Sequence, residues 1–248
     1  MKTIREALQN TTLGPEYSYL LEQPSLLGRF IKKLFEIFCK VVFTFYCPVK
    51  VEGRENIPES SFILCSNHCS HMDSGVLMVA SGLPFKNFGM MAAKEYFFDN
   101  KIRRISLNLL MHLIPIDRKT NHVTIVKSLA ACRDFTKNGN RNIIIYPEGT
   151  RSITGKIGKF KKGLAMVATE LGLPVVPVYI NGTHDAYPKG NYFMKPKKIY
   201  ATIGQPIYPN DYVKKNGGNS NKQVYNSMIE EIEKRVHELK ENQTNKST

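Results

Sequence analysis

Short apolar runs of strand length, with helix-patterned stretches filling most of the gaps between them, constrain this chain more than any other feature. The runs are Val49 to Glu52, Phe62 to Ser66, Phe88 to Ala92, Asn142 to Tyr146, Val175 to Ile180 and Ile199 to Ile203. Such alternation specifies an α/β fold. The spacing predicts a helix over Lys161 to Leu171, with Leu164, Val167, Ala168 and Leu171 inward and Lys161, Lys162, Thr169 and Glu170 outward. Gly172 stops it and Pro174 lies beyond. A second helix is predicted over Lys222 to Lys240, where Tyr225, Met228, Ile232, Val236 and Leu239 recur at helical spacing after a loop of Asn216, Gly217, Gly218, Asn219 and Ser220. The tail from Glu241 has no apolar residue, and disorder is expected there. The expected architecture is a single α/β domain with a mixed, largely parallel sheet flanked by helices, preceded by an amphipathic helical segment. Its expected parts are an N-terminal segment (1–47), a core (48–215) and a C-terminal helix with its tail (216–248).

With 248 residues, 42% of them hydrophobic, one sizeable core can close. The formal charge of +14 favours an anionic partner: a membrane surface, a nucleic acid or an acidic carrier protein. Cys39, Cys47, Cys65, Cys69 and Cys132 are odd in number and form no C-x-x-C pair. They suggest neither a disulfide framework nor a zinc site, and a reducing cytoplasm fits them.

Met1 to Glu22 lacks the apolar core of a signal peptide. From Pro24 to Cys47, Arg29, Lys33, Glu36, Lys40 and Thr44 fall on one narrow helical stripe. Leu26, Leu27, Phe30, Ile31, Leu34, Phe35, Ile37, Phe38, Val41, Val42, Phe43 and Phe45 cover the rest. A bilayer span needs roughly 20 mostly uncharged residues, which this segment does not supply. It reads either as a helix in the plane of a membrane surface or as one packed on the core.

Between two of the apolar runs, Ser66 to Gly75 reads S-N-H-C-S-H-M-D-S-G and forms a polar strand-to-helix corner. Its spacing serves two readings. His68 can be a general base whose other ring nitrogen is held by Asp73, or Asp73 can cap the helix while His68 bonds to backbone. His71 is offset from the pair and reads as corner packing. A second corner follows the strand Asn142 to Tyr146, where Pro147-Glu148-Gly149-Thr150-Arg151-Ser152 puts fixed charge at the strand end. Ligands of open α/β sheets bind at such ends. Lys156, Lys159, Lys161 and Lys162, interleaved with Gly155, Gly158 and Gly163, suit phosphate contact or a solvated loop equally.

These two corners resemble blocks of the glycerolipid acyltransferase family, whose best-known members are the lysophosphatidate acyltransferases. The resemblance covers roughly Pro48 to Pro206. N-H-x4-D is Asn67-His68 with Asp73, P-E-G-T-R-S is complete from Pro147 to Ser152, and the proline-bearing apolar strand is Val175-Val176-Pro177-Val178. The remaining block ends in Ile116-Asp117-Arg118, with Lys94 as the candidate for its first residue. Inside that block Glu95-Tyr96-Phe97-Phe98-Asp99-Asn100-Lys101 stands where the family carries a proline and a glycine.

The resemblance implies transfer of a fatty acyl group from acyl carrier protein or coenzyme A to a lysolipid hydroxyl. Lysophosphatidate is the expected acceptor and a lyso-aminolipid or other lysophospholipid the alternative. It implies His68 as base and Asp73 as its orienting partner. Asn67, Glu148, Gly149, Thr150 and Arg151 would form the acceptor site, with Arg118 near the head group. Lys94 or backbone N–H groups of the His68 corner would face the developing oxyanion. No metal or organic cofactor is expected. The expected setting is the cytoplasmic face of a membrane, peripherally or monotopically bound through an anionic surface. Two other classes remain to be weighed. A basic nucleic-acid module fits the charge, but the chain lacks Trp, basic–aromatic interleaving and helix-turn-helix spacing. A cysteine hydrolase would use Cys69, which directly follows His68.

Overall fold

Ile143-Ile144-Ile145 and Val175-Val176 are β-branched runs with nowhere to put a polar face, and both become buried parts of strands. The computed structural model describes residues 4–22, 25–94, 108, 110–116, 121–137, 141–217 and 222–245. Arg118 and the divergent stretch from Glu95 to Lys101 lie outside them. The chain forms two compact units, Met1–Glu36 with Pro84–Ile144, and Ile37–Leu83 with Ile145–Thr248.

In the first unit α1 (Ile4–Gln9) precedes a 3-10 turn at Pro15–Leu20, and β3 (Phe88–Ala93), β4 (His112–Ile116), α4 (His122–Lys137) and β5 (Asn142–Ile145) follow later in the chain. β3 pairs in parallel with both β4 and β5. Phe88, Leu113, Ile114, Leu129, Phe135 and Ile143 fill the core. Residues before 21 are tied to it by polar links. Arg133 of α4 donates to the carbonyls of Leu8 and Thr11, Tyr19 to that of Leu113 at 3.0 Å, and Arg141 to that of Leu20 at 2.7 Å. β4 is a strand that the apolar pattern does not announce, because Pro115 sits inside it. Proline removes a ladder donor and is tolerated at edges, and among the described residues β4 pairs on one side only, with β3.

In the second unit the strand order is β1 (Val49–Glu52), β7 (Ile199–Ile203), β6 (Val175–Asn181), β2 (Ile63–Ser66). β6 and β7 are antiparallel, while β1 with β7 and β2 with β6 are parallel. The expected mixed, largely parallel α/β architecture is therefore present. Its helices are α3 (Asp73–Ser81), α5 (Gly163–Leu171), the short α6 (Thr183–Ala186), α7 (Pro209–Lys215) and α8 (Lys222–Asn245).

Two helix expectations need correction. Thr169 and Glu170, expected on the outer face of α5, are buried, because α8 covers that face. Tyr225 donates to Glu170 Oε1 at 2.5 Å and Thr169 to Met228 Sδ at 3.7 Å. The expected disorder from Glu241 does not hold through Asn245. α8 continues, and Gln243, buried, donates to Thr202 Oγ1 of β7 at 2.8 Å. One side-chain hydrogen bond to a half-buried strand residue is invisible to an apolar pattern.

The helical segment before the core is α2 (Leu26–Val41), continued by a π turn at Val42–Tyr46. Its outward face is apolar: Leu26, Leu27, Phe30, Leu34, Ile37, Phe38, Val41 and Phe45 are all exposed. Its buried stripe includes Gly28, Lys32, Glu36, Cys39 and Phe43. This reverses the usual arrangement of a water-facing helix.

Candidate active site

β2 ends at Ser66, and Asn67 then closes the strand by side chain instead of backbone. Its Nδ2 donates to the Ile180 carbonyl and its Oδ1 accepts the Ile180 N–H, both at 2.9 Å. This two-point link to β6 fixes where the chain turns. The next three residues fold back on Asp73, the first residue of α3. Asp73 Oδ2 accepts the N–H of Cys69 at 2.7 Å and of Ser70 at 2.8 Å, and lies 2.8 Å from His68 Nδ1. Of the two readings, the geometry present is the carboxylate-held imidazole: Asp73 makes no capping hydrogen bond to α3, and the same oxygen that meets His68 takes the N–H groups of the corner that precedes the helix. Asp73's side chain is 1% exposed and His68's is 19%. A buried carboxylate on Nδ1 favours the tautomer with the proton there, which leaves Nε2 as the acceptor nitrogen on the more exposed side.

The second corner packs directly on the first. His68 stacks on Tyr146, with ring centroids 3.7 Å apart and planes 9° from parallel. Tyr146's hydroxyl is paired with Ser74 Oγ at 2.8 Å, which fixes the ring beneath the imidazole. The Ser152 N–H donates to the His68 carbonyl at 2.7 Å. Sequence reasoning missed Tyr146, although its place at a strand end next to Pro147 was a usable signal.

Glu148 differs from its expected part. Its Oε1 accepts the His68 N–H and its Oε2 the Gly158 N–H, each at 2.8 Å, and the side chain is buried. It braces loop to loop where it was expected to hold an acceptor. Burial pushes its pKa up, against the two backbone N–H groups that pull it down. A Cβ at Gly158 would sit 2.9 Å from Oε2, so the brace needs glycine there. Gly149 turns the chain at φ +72°, and Lys161 Nζ lies over it, 2.8 Å from where a Cβ would be.

Thr150 is exposed and Arg151 half-buried. Arg151 Nη1 is buried with no hydrogen-bond partner among the described residues. After partial burial, nearby Arg151 is the main cause holding the His71 pKa down, which places that cation on the same corner. Lys94 is exposed and lies after β3, in the other unit. The backbone N–H groups of His68, Cys69 and Ser70, expected to face an oxyanion, are all turned to carboxylates of the protein itself. That expectation fails because the same donors hold the corner's shape.

Cys69 is buried beside the pair, with its thiol pushed up to about 12, first by burial and then by Asp73 and Glu148. Burial also raises Cys65. A thiol so far from ionising is a poor nucleophile at neutral pH. Among the described residues no group of three His, Cys, Asp or Glu is placed to hold a metal ion.

A sequence model of the acyltransferase family matches residues 48–181, which contain this entire corner pair. The 1-acyl-sn-glycerol-3-phosphate acyltransferase of Limnanthes douglasii is 33% identical over 172 residues, covering 69% of this chain and 59% of that protein. The enzyme of the same name from Pseudomonas aeruginosa is 31% identical over 163 residues, covering 64% of this chain and 59% of its own. The chain thus spans under two thirds of the length of these relatives. The crystal structure of the 1-acyl-sn-glycerophosphate (LPA) acyltransferase PlsC from Thermotoga maritima superposes with a TM-score of 0.61 at 30% identity, over 91% of this chain and 86% of that one. By sequence and by fold, the chain belongs to the acyltransferase family.

Proposed function

We propose that this protein transfers a fatty acyl group from a thioester, carried by acyl carrier protein or coenzyme A, to the free hydroxyl of a lysolipid. The observation that carries the reading is the His68 Nδ1 to Asp73 Oδ2 contact of 2.8 Å, with Nε2 left for an acceptor hydroxyl. An alcohol is far too weak an acid to lose its proton unaided at neutral pH. General-base help of this kind is typically worth about 10²–10⁴ in rate. His68 Nε2 takes the proton as the hydroxyl oxygen attacks the thioester carbonyl carbon. Collapse of the tetrahedral intermediate breaks the C–S bond, and the imidazolium returns the proton to the departing thiolate. Asp73 stabilises that imidazolium and holds its orientation. Tyr146 keeps the ring from rotating out of line. Direct transfer is supported by the burial of Cys69 and Cys65, which raises both thiols.

Lysophosphatidate is the acceptor that the names of the relatives favour. Arg151, whose buried Nη1 has no hydrogen-bond partner among the described residues, supports a phosphate-bearing acceptor. Gly149 and Thr150 line the same turn. The apolar outward face of α2 supports peripheral docking on a membrane, where such lipids reside. Among the described residues no helix is long and apolar enough to cross one.

Purified protein incubated with a labelled acyl thioester and a panel of lysolipids tests this reading. A diacyl product identified by mass, absent with His68→Ala, is the expected result. Hydrolysis of the thioester without acceptor acylation would refute it.

A further inference from the structure

Between Tyr187 and Lys198 the chain runs Y-P-K-G-N-Y-F-M-K-P-K-K, with four lysines and no acidic residue. Tyr192 is 90% exposed and Phe193 84%, and Lys189, Lys195, Lys197 and Lys198 are exposed around them. Isolated exposed aromatics are ordinary on a protein surface. Two adjacent ones at the tip of an all-basic loop have the composition of a membrane-interface element, in which rings sit at head-group level and lysines meet lipid phosphate.

Both ends of the loop are fixed. Ser70 Oγ donates to the Tyr187 carbonyl at 2.6 Å, and Ser70 and Pro188 form an isolated β-bridge. Ser70 is also one of the residues whose N–H holds Asp73 Oδ2, so the loop is rooted in the corner that carries His68. On the other side Lys195 N–H donates to the Ala186 carbonyl at 2.8 Å and the Tyr46 hydroxyl to the Met194 carbonyl at 2.9 Å. Tyr46 ends the π turn that follows α2, and its neighbour Phe45 is 80% exposed. Four exposed aromatic rings from two distant segments are therefore tied together by a hydrogen bond, with the lysines beside them.

We infer that the loop 187–198 is a second membrane-inserting element, which together with Phe45 and Tyr46 seats the His68 corner on an anionic lipid surface. The inference rests on the acyl-transfer reading, in which the acceptor must be taken from a bilayer. Without such a seat, α2 alone would tether the protein but leave the corner free to tilt. An acidic carrier protein would also be drawn to the lysines. It would gain little from two rings standing this far out of the surface, which a lipid interface absorbs readily.

The sequence contains no tryptophan, so Phe193→Trp introduces a single fluorophore at the loop tip. Added to vesicles of phosphatidylcholine doped with phosphatidylglycerol, this variant should show a blue shift that weakens in phosphatidylcholine alone or in high salt. Tyr192→Ala with Phe193→Ala should lower vesicle affinity roughly tenfold or more. The same pair should leave turnover of a short-chain, water-soluble acceptor unchanged. Vesicles that bind the protein without shifting the fluorophore would overturn the loop's role and leave acyl transfer intact. A shift produced by acidic carrier protein and not by vesicles would also overturn it, assigning the loop to the donor. A blue shift on vesicles in a protein that acylates no acceptor would support insertion while refuting the acyl-transfer reading.

Discussion

The backbone N–H of His68 donates to Glu148 Oε1 at 2.8 Å, and the other oxygen of that carboxylate takes Gly158 N–H at the same distance. The second corner thus braces the first, through a carboxylate whose two oxygens each take a backbone N–H. Glu148→Gln keeps the size but turns an amide NH2 toward one of the two N–H donors, and should cost about 1–3 kcal/mol of stability. Burial holds the Glu148 pKa above its ordinary value. The folded state therefore binds this proton more tightly than the unfolded chain. Its contribution to stability is full below the ordinary carboxylate range and is lost as pH rises through the raised value. The Gln variant should lack that part of the slope, which urea unfolding across pH would measure.

His68→Ala should abolish acyl transfer while leaving far-UV circular dichroism unchanged. Asp73→Asn should lose several orders of magnitude, on the scale of roughly 10⁴ seen for the corresponding change in a serine protease triad. Asp73 Oδ2 alone accepts the N–H groups of Cys69 and Ser70, and an Asn oxygen in its place accepts them without the charge, so the Asn variant should unfold at a lower temperature than His68→Ala. Near-normal turnover in His68→Ala would remove the base from the mechanism.

The thiols supply an independent check on direct transfer. With its pKa pushed up to about 12, Cys69 should resist iodoacetamide at neutral pH, and Cys69→Ser should remain active. Protein incubated with the thioester alone should carry no acyl adduct on Cys65 or Cys69 by mass spectrometry. An adduct on either would require a two-step mechanism.

Arg151 tests the acceptor. Loss of a charge-assisted contact costs about 1.5–3 kcal/mol, so Arg151→Ala should lower kcat/KM for lysophosphatidate roughly tenfold or more. The effect should be smaller for monoacylglycerol, which has no phosphate. Equal losses on both acceptors would mean that Arg151 shapes the corner instead of gripping phosphate.

The legible part of this fold was the part written in runs of like residues. Most of the six expected strands were legible because they hide apolar residues from water, whereas β1, with Lys50 exposed and no residue fully buried, was legible only from its alternating valines. β4 escaped because Pro115 and His112 break its pattern, and at an edge the sheet tolerates both. In the site, the spacing from His68 to Asp73 was legible because both lie on one tight corner. The role of Glu148 was not, because it depends on Gly158, ten residues away, approaching its carboxylate. Tyr146 stacks on a ring 78 positions earlier in the chain, and that proximity follows only from the folded backbone. A motif read alone assigns every polar residue to substrate, whereas the fold diverts some of them to hold the others.

Helix α2 makes the last prediction, because it exposes large apolar side chains alongside Arg29, Lys33 and Lys40 while burying Lys32 and Glu36. Leu34 and Phe38 lie on its outward side, while Lys32 and Glu36 point inward and are buried. Leu34→Asp with Phe38→Asp should improve solubility and release the protein from vesicles, with turnover of a water-soluble acceptor preserved. Arg29, Lys33 and Lys40 changed together to Gln should weaken binding mainly to anionic vesicles and in a salt-dependent way, since charges at an interface are screened within about 8 Å at physiological ionic strength. Vesicle flotation separates the two contributions. Unchanged flotation of the double Asp variant would show that the apolar face is covered by something other than lipid, because two carboxylates cannot enter a bilayer interior without a cost far above what the remaining contacts return.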